Sequence, residues 1–189
     1  MMPHCVAMAY KYNIMGLFKK TLSERLAKDA RRAGICREWH DKLISMDDKH
    51  AMVEMYLRGI DFCLSNDYPT NAFIREHFVG VMEQHGVFLD EPVDVTNFRK
   101  VVALGKTNGT AKFNGYSVGE VFAKHNAELN VYANGNAFVV IDVFDNAVVH
   151  VYADDNARVC VNHYGGKIFN IANSANSFVK VREKHKSTY

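Results

Sequence analysis

Proline, tryptophan and cysteine are scarce in this 189-residue chain: three, one and four residues respectively. So little proline beside 48% apolar residues argues against a disordered or proline-linked protein. The cysteines, Cys5, Cys36, Cys63 and Cys160, lie too far apart for a metal knuckle. Lone thiols of this kind fit a reducing cytoplasm better than a disulfide scaffold. A formal charge of only +2 supplies no concentrated basic face, which argues against a dedicated nucleic-acid binder. No apolar run reaches the roughly 18 residues of a membrane span. Residues 1–18 contain Lys11 and lack both a basic start and a small-residue cleavage site, so they read as a poorly ordered leader rather than a signal peptide.

Helical spacing begins at Thr21. Leu22, Leu26 and Ala30 recur every four residues up to Gly34, and Ile35, Trp39 and Leu43 continue the stripe to Ile44. Trp39 reads as a core anchor, because large aromatics bury the most area. Asp47 or Asp48 offers a cap to a third helix striped by Val53, Tyr56, Leu57, Ile60, Cys63 and Leu64. Thr70 or Asn71 caps a fourth, expected to run through His85 to Gly86. Lys19, Lys20, Arg25, Lys28, Arg31 and Arg32 crowd the start of this region. They are a solvated helix exterior or, on a less economical reading, a nucleic-acid footprint.

After the turn-rich stretch Asp90–Asp94 the texture changes to strands. Gly105-Lys106-Thr107 suggests a phosphate loop, but the upstream glycine of that motif is missing and no helix follows. From Ala127 the chain repeats every ten residues: AELNVYANGN, AFVVIDVFDN, AVVHVYADDN, ARVCVNHYGG, KIFNIANSAN. Apolar residues hold alternate places, as in strands with one buried face. Asp-Asn, Gly-Asn and Gly-Gly pairs close the units with residues that tolerate left-handed backbone. Two architectures fit, an antiparallel β-meander and a parallel β-solenoid with two decamers per coil. Tyr132 with Tyr152, and Phe144 with Tyr164, recur at twenty residues rather than ten, which favours the solenoid. Its Asn corners, Asn126 with Asn146 and Asn136 with Asn156 and Asn176, then form ladders whose amides are available to bond along the stack.

Two outward faces follow. One carries Phe138, Val140, Phe144, Arg158, Cys160, Tyr164 and Phe178, too apolar to be left in water. Phe138, Val140, Phe144, Cys160, Tyr164 and Phe178 are therefore the candidate partner interface, covered by the chain's own helices or by a second copy. The other carries Glu128, Asn130, Tyr132, Val148, His150, Tyr152, Ile168 and Asn170, within which Tyr132, His150 and Tyr152 form a candidate ligand strip. The basic residues Lys180, Arg182, Lys184 and Lys186 would blunt the end of the stack against strand addition. The nine histidines show neither zinc-protease nor finger spacing, so no catalytic, cofactor or metal residue is assigned.

The decamers resemble the A-x-V-x-[VA]-x-x-x-D/G-N/S-A repeats of uncharacterised bacterial and phage proteins, which implies a β-solenoid over Val118–Val181 and no particular activity. The expected fold is thus α+β: a leader at 1–18, a small helical bundle at 19–89, a short parallel β-solenoid at 97–182 and a basic tail at 183–189. The expected function is a non-enzymatic binding or scaffold protein, working through a protein partner or a homodimer, cytoplasmic and without a cofactor. The alternatives are a glycan-binding or weakly hydrolytic solenoid and a phage-type inhibitor that binds or mimics nucleic acid.

Overall fold

The computed structural model describes residues 20–172 and 174–189. The leader at 1–18 and Lys19 lie outside the described residues. The chain divides into two compact units, Met1–Asp47 and Asp48–Tyr189, so the division falls at Asp48 rather than near residue 89.

The first unit holds α1 (Leu22–Arg32) and α2 (Arg37–Ile44). Thr21 and Glu24 form a capping box: the Thr21 hydroxyl accepts from the Glu24 N–H at 3.2 Å, and the Glu24 carboxylate accepts from the Thr21 N–H at 2.8 Å. Leu26, Ala27, Ala30 and Leu43 are the buried apolar residues. Trp39 is only half-buried, so the small residues of α1 rather than the indole carry the packing.

The second unit opens with α3 (Lys49–Arg58), α4 (Ile60–Ser65) and α5 (Asn71–His77), followed by a 3₁₀ turn over Met82–His85. Asp48 caps α3 through the N–H groups of His50 and Ala51. The expected third helix breaks at Gly59, and the fourth stops at His77 instead of His85. The second interruption has a plain cause, because Gly80 sits in left-handed backbone at φ 86°, which no α-helix accepts.

Eleven strands then alternate between two sheets: β1 (Val87–Leu89), β2 (Pro92–Thr96), β3 (Lys100–Leu104), β4 (Asn108–Phe113), β5 (Val118–Ala123), β6 (Glu128–Ala133), β7 (Phe138–Val143), β8 (Val148–Ala153), β9 (Arg158–His163), β10 (Lys167–Ala172) and β11 (Phe178–Glu183). One sheet runs β1-β3-β5-β7-β9-β11 and the other β10-β8-β6-β4-β2, every pair parallel. This is the β-solenoid, not the meander. It begins at Val87, ten residues earlier than the repeat suggested. Pro92 is tolerated because it is the first residue of β2, the edge strand of its sheet.

The thin core is filled from both sheets by Leu129, Val131 and Ala133 of β6, Val139, Ile141 and Val143 of β7, and Val149, Val151 and Ala153 of β8, all inaccessible to solvent. Gly119 replaces the expected branched residue in β5, and the Phe113 ring occupies the space its side chain would take. Each coil turns on a left-handed residue at ten-residue intervals: Gly115, His125, Gly135, Asp145 and Asp155. Backbone bonds tie one corner to the next, as in Asn146 N–H to the His125 carbonyl at 3.0 Å. Among the described residues the side chains of Asn126, Asn136, Asn146 and Asn156 form no ladder, although Asn134 donates to Asn114 at 3.4 Å one place earlier in the corners. The neighbouring aspartates do that work instead: Asp145 accepts from the His125 N–H at 3.1 Å and Asp155 from the Gly135 N–H at 2.9 Å.

The two ends differ. At the first, β1 is buried along its length beside the 3₁₀ turn, whose Met82 is itself buried. At the last, β10 and β11 carry the exposed Phe169, Ile171, Phe178 and Val181.

Candidate functional site

The outer face of the larger sheet, where the candidate interface was placed, is split in two. Its far columns are closed by the chain itself. Lys124 is buried and donates to the Leu64 carbonyl and to Asp67, both at 2.6 Å, while His125 lies 3.2 Å from the same carboxylate. Lys100 reaches the Leu57 carbonyl at 3.1 Å. These bonds strap α3, α4 and the following loop onto the coils. Burial alone would raise the Asp67 carboxyl, but the bonds and charges of Lys124 and His125 outweigh it and hold it below the ordinary value.

The C-terminus covers the next stretch. Phe144 is fully buried, its ring stacked on Tyr164 with centroids 4.6 Å apart, and Tyr189 closes edge-on over both. The Tyr189 hydroxyl donates to Asp142, which also accepts from the Asn162 amide at 2.6 Å. Burial holds the Asp142 carboxyl above its usual value despite those bonds, and burial likewise pushes the Tyr189 phenol far up. Lys184 and Lys186 sit over the Tyr164 ring, so this part of the basic tail folds back instead of guarding the end of the stack. Phe144 and Tyr164 are therefore held within this fold rather than offered as an open interface.

The near column stays open. Val118, Phe138, Arg158 and Phe178 stand in register along it, and Val140 and Cys160 lie half-buried beside it. Phe178 is the last of this column and also belongs to the open end of the solenoid.

On the smaller sheet two of the strip residues meet each other and the third meets a ring outside the strip. Tyr132 and Tyr152 stack at 4.6 Å with planes 11° apart, and His150 stacks on Phe169 at 4.8 Å and 12°. Rings stacked along a ladder turn their faces to each other and their edges to solvent. Phe169 was not foreseen here, and Ile168 and Asn170 were placed on this face wrongly. The corner Tyr164-Gly165-Gly166 is one residue short, so Lys167 pairs with Val148 and the whole of β10 is flipped: Phe169 and Ile171 face out, Ile168 and Asn170 in. The missing Asn beside Gly166 was the signal in the sequence.

Other polar clusters are sparse. His50 and His85 meet at 2.9 Å, and His163 bonds Glu183 at 2.8 Å. No group of three or more His, Cys, Asp or Glu is arranged to hold a metal among the described residues. In the first unit, Arg31 and Arg37 line a hollow with Ile35 and His40, but Asp41 shares it and bonds His40. Arg32 is paired with Asp29 at 3.1 Å. The basic footprint is thus interrupted by acids. No described helix is long and apolar enough to cross a membrane. Compared with models of protein families, with curated proteins and with solved structures, the chain matches none.

Proposed function

We propose that the protein is a non-enzymatic binding or scaffold protein that engages a protein partner through the open end of its solenoid and the adjoining column of Val118, Phe138 and Phe178. The observation that carries this is the unequal covering of the stack. Helices and the 3₁₀ turn close one end, whereas Phe169, Ile171, Phe178 and Val181 stay 51%, 48%, 53% and 38% exposed at the other. Exposed apolar residues gathered at one place mark interaction surfaces more often than scattered ones do. The free thiols of Cys36, Cys63 and Cys160 support a reducing, cytoplasmic setting.

A glycan platform is less well supported, because sugars stack on ring faces and the Tyr132–Tyr152 ladder offers edges. A homodimer through the whole apolar face loses Phe144 and Tyr164, which Tyr189 covers. A photo-reactive phenylalanine analogue at position 178, compared with one at Tyr116 on an exposed corner, tests the reading in cells of the source organism. A discrete protein adduct from position 178 alone is expected. Adducts that are absent from 178, or identical from both positions, would contradict it.

A further inference from the structure

Interior strands of the solenoid have a neighbour on each side, but β11 pairs with β9 alone. The N–H and C=O groups along its other edge therefore have no strand partner among the described residues. The side chains of this edge alternate in chemistry. Phe178, Lys180 and Arg182 point outward, while Val179, Val181 and Glu183 follow the core register of Val159, Val161 and His163. Glu183 is already bonded to His163. Lys180 and Arg182 stand beside Cys160 and Asn162, which carry no charge, and no ion pair involves either cation among the described residues. A free backbone edge thus presents two cations without a local counter-charge, interleaved with half-exposed valines.

We infer that the β11 edge accepts an extended, acidic segment of a partner protein as one further strand. Its carboxylates lie against Lys180 and Arg182, and its alternate apolar residues cover Val179 and Val181. Main-chain bonds then supply affinity and the alternation supplies specificity, as in other cases of strand addition. A second copy of the same edge is a poor occupant, because like charges directly opposite are destabilising. Edge lysines are a recognised guard against self-pairing. Here the same cations that refuse a copy of this edge select an acidic strand. The inference rests on the protein-binding reading above and narrows it to one geometry.

The test uses the full chain and three capped synthetic peptides: valine alternating with glutamate, valine alternating with lysine, and the glutamate peptide with prolines in place of some valines. Binding is read by fluorescence anisotropy and by amide exchange. The valine–glutamate peptide is expected to bind, to slow exchange over residues 179–182 and to weaken as salt rises. The lysine and proline peptides are expected to do neither. Lys180→Glu with Arg182→Glu, at exposed positions that leave thermal unfolding in place, should weaken the glutamate peptide about tenfold, the sum of two surface pairs, and admit the lysine peptide instead. The inference is overturned if the glutamate peptide does not bind, if the proline peptide binds equally well, or if charge reversal changes nothing. Should position 178 capture a protein while the peptides fail, strand addition falls and the protein-binding reading stands. Should the peptides behave as expected without any adduct at position 178, the edge chemistry stands and the open end falls as the cellular interface.

Discussion

The solenoid has one end that the chain finishes and one that it does not. At the first, β1 is buried against the Met82–His85 turn, and Lys100 and Lys124 reach helical carbonyls. At the last, β10 is shifted by one residue and β11 keeps the repeat's register, but neither keeps its burial, with Asn170 in a core register yet exposed and Val181 partly so. Stacked coils gain stability mainly from their neighbours, so a terminal coil with one neighbour holds less than an interior one. The lesson is that the apolar residues of the open end are a poor fit to isolated stability and a good fit to association.

The sharpest contrast is between truncations to alanine in the middle and at the open end. Ile141→Ala, at a fully buried site, is expected to cost about 3 kcal/mol in urea unfolding. Val181→Ala should stay within about 0.5 kcal/mol. Equal costs would break the distinction between interior and end. Next in size is the strap. Lys124→Met leaves the Leu64 carbonyl without its donor, and a loss of about 2 kcal/mol in thermal unfolding is expected. An unchanged transition would mean that the helices are held by packing alone. Smaller again is Tyr152→Ala, which removes one stacked pair for about 1 kcal/mol, with no effect on retention by immobilised glycans. Loss of a measurable glycan retention in that variant would revive the ligand strip.

Acid separates the two coverings of the larger sheet by sign. The Asp67 carboxyl is held below its ordinary 3.8 by Lys124 and His125 against an opposing effect of burial, and Asp90 is held low by Arg75 and the Lys106 N–H. Their stabilisation is present above 3.8 and is lost as pH falls through the depressed folded values. Burial raises Asp142 above 3.8, so its contribution is favourable below 3.8 and is lost as pH rises through the folded value. Acidification is therefore expected to lower amide protection, taken relative to the intrinsic exchange rate at each pH, around Asp67 and Lys124 while leaving the Tyr189 lid in place. Simultaneous loosening of both would contradict that assignment.

Much of this architecture is written in short-range pattern. Alternating Val, Ile and Leu around Asn-closed decamers specifies strands and corners, and the twenty-residue recurrence of Tyr132 with Tyr152 distinguishes stacking from a hairpin. Those rings do stack. What escaped lies where the period slips. β1 and β2 pair with offsets of fifteen and sixteen residues rather than twenty, as in Val87 with Val102 and Pro92 with Asn108. The short Gly165-Gly166 corner shifts β10 by one residue and exchanges its faces. Of the candidate interface, Phe138 and Phe178 are exposed, whereas Phe144 is closed by Tyr189, a contact forty-five residues away that no local pattern encodes. The helical straps are equally long-range, since Lys124 finds its partners near residue 64.

The most direct measurement is residue-resolved amide hydrogen exchange across all eleven strands at neutral pH. Unequal capping requires protection that is highest in β5–β8, stays high through β3 and β1, and decays steadily through β9 to β10 and β11. Equal protection at both ends, or fraying that begins at β1 and β2, would contradict it.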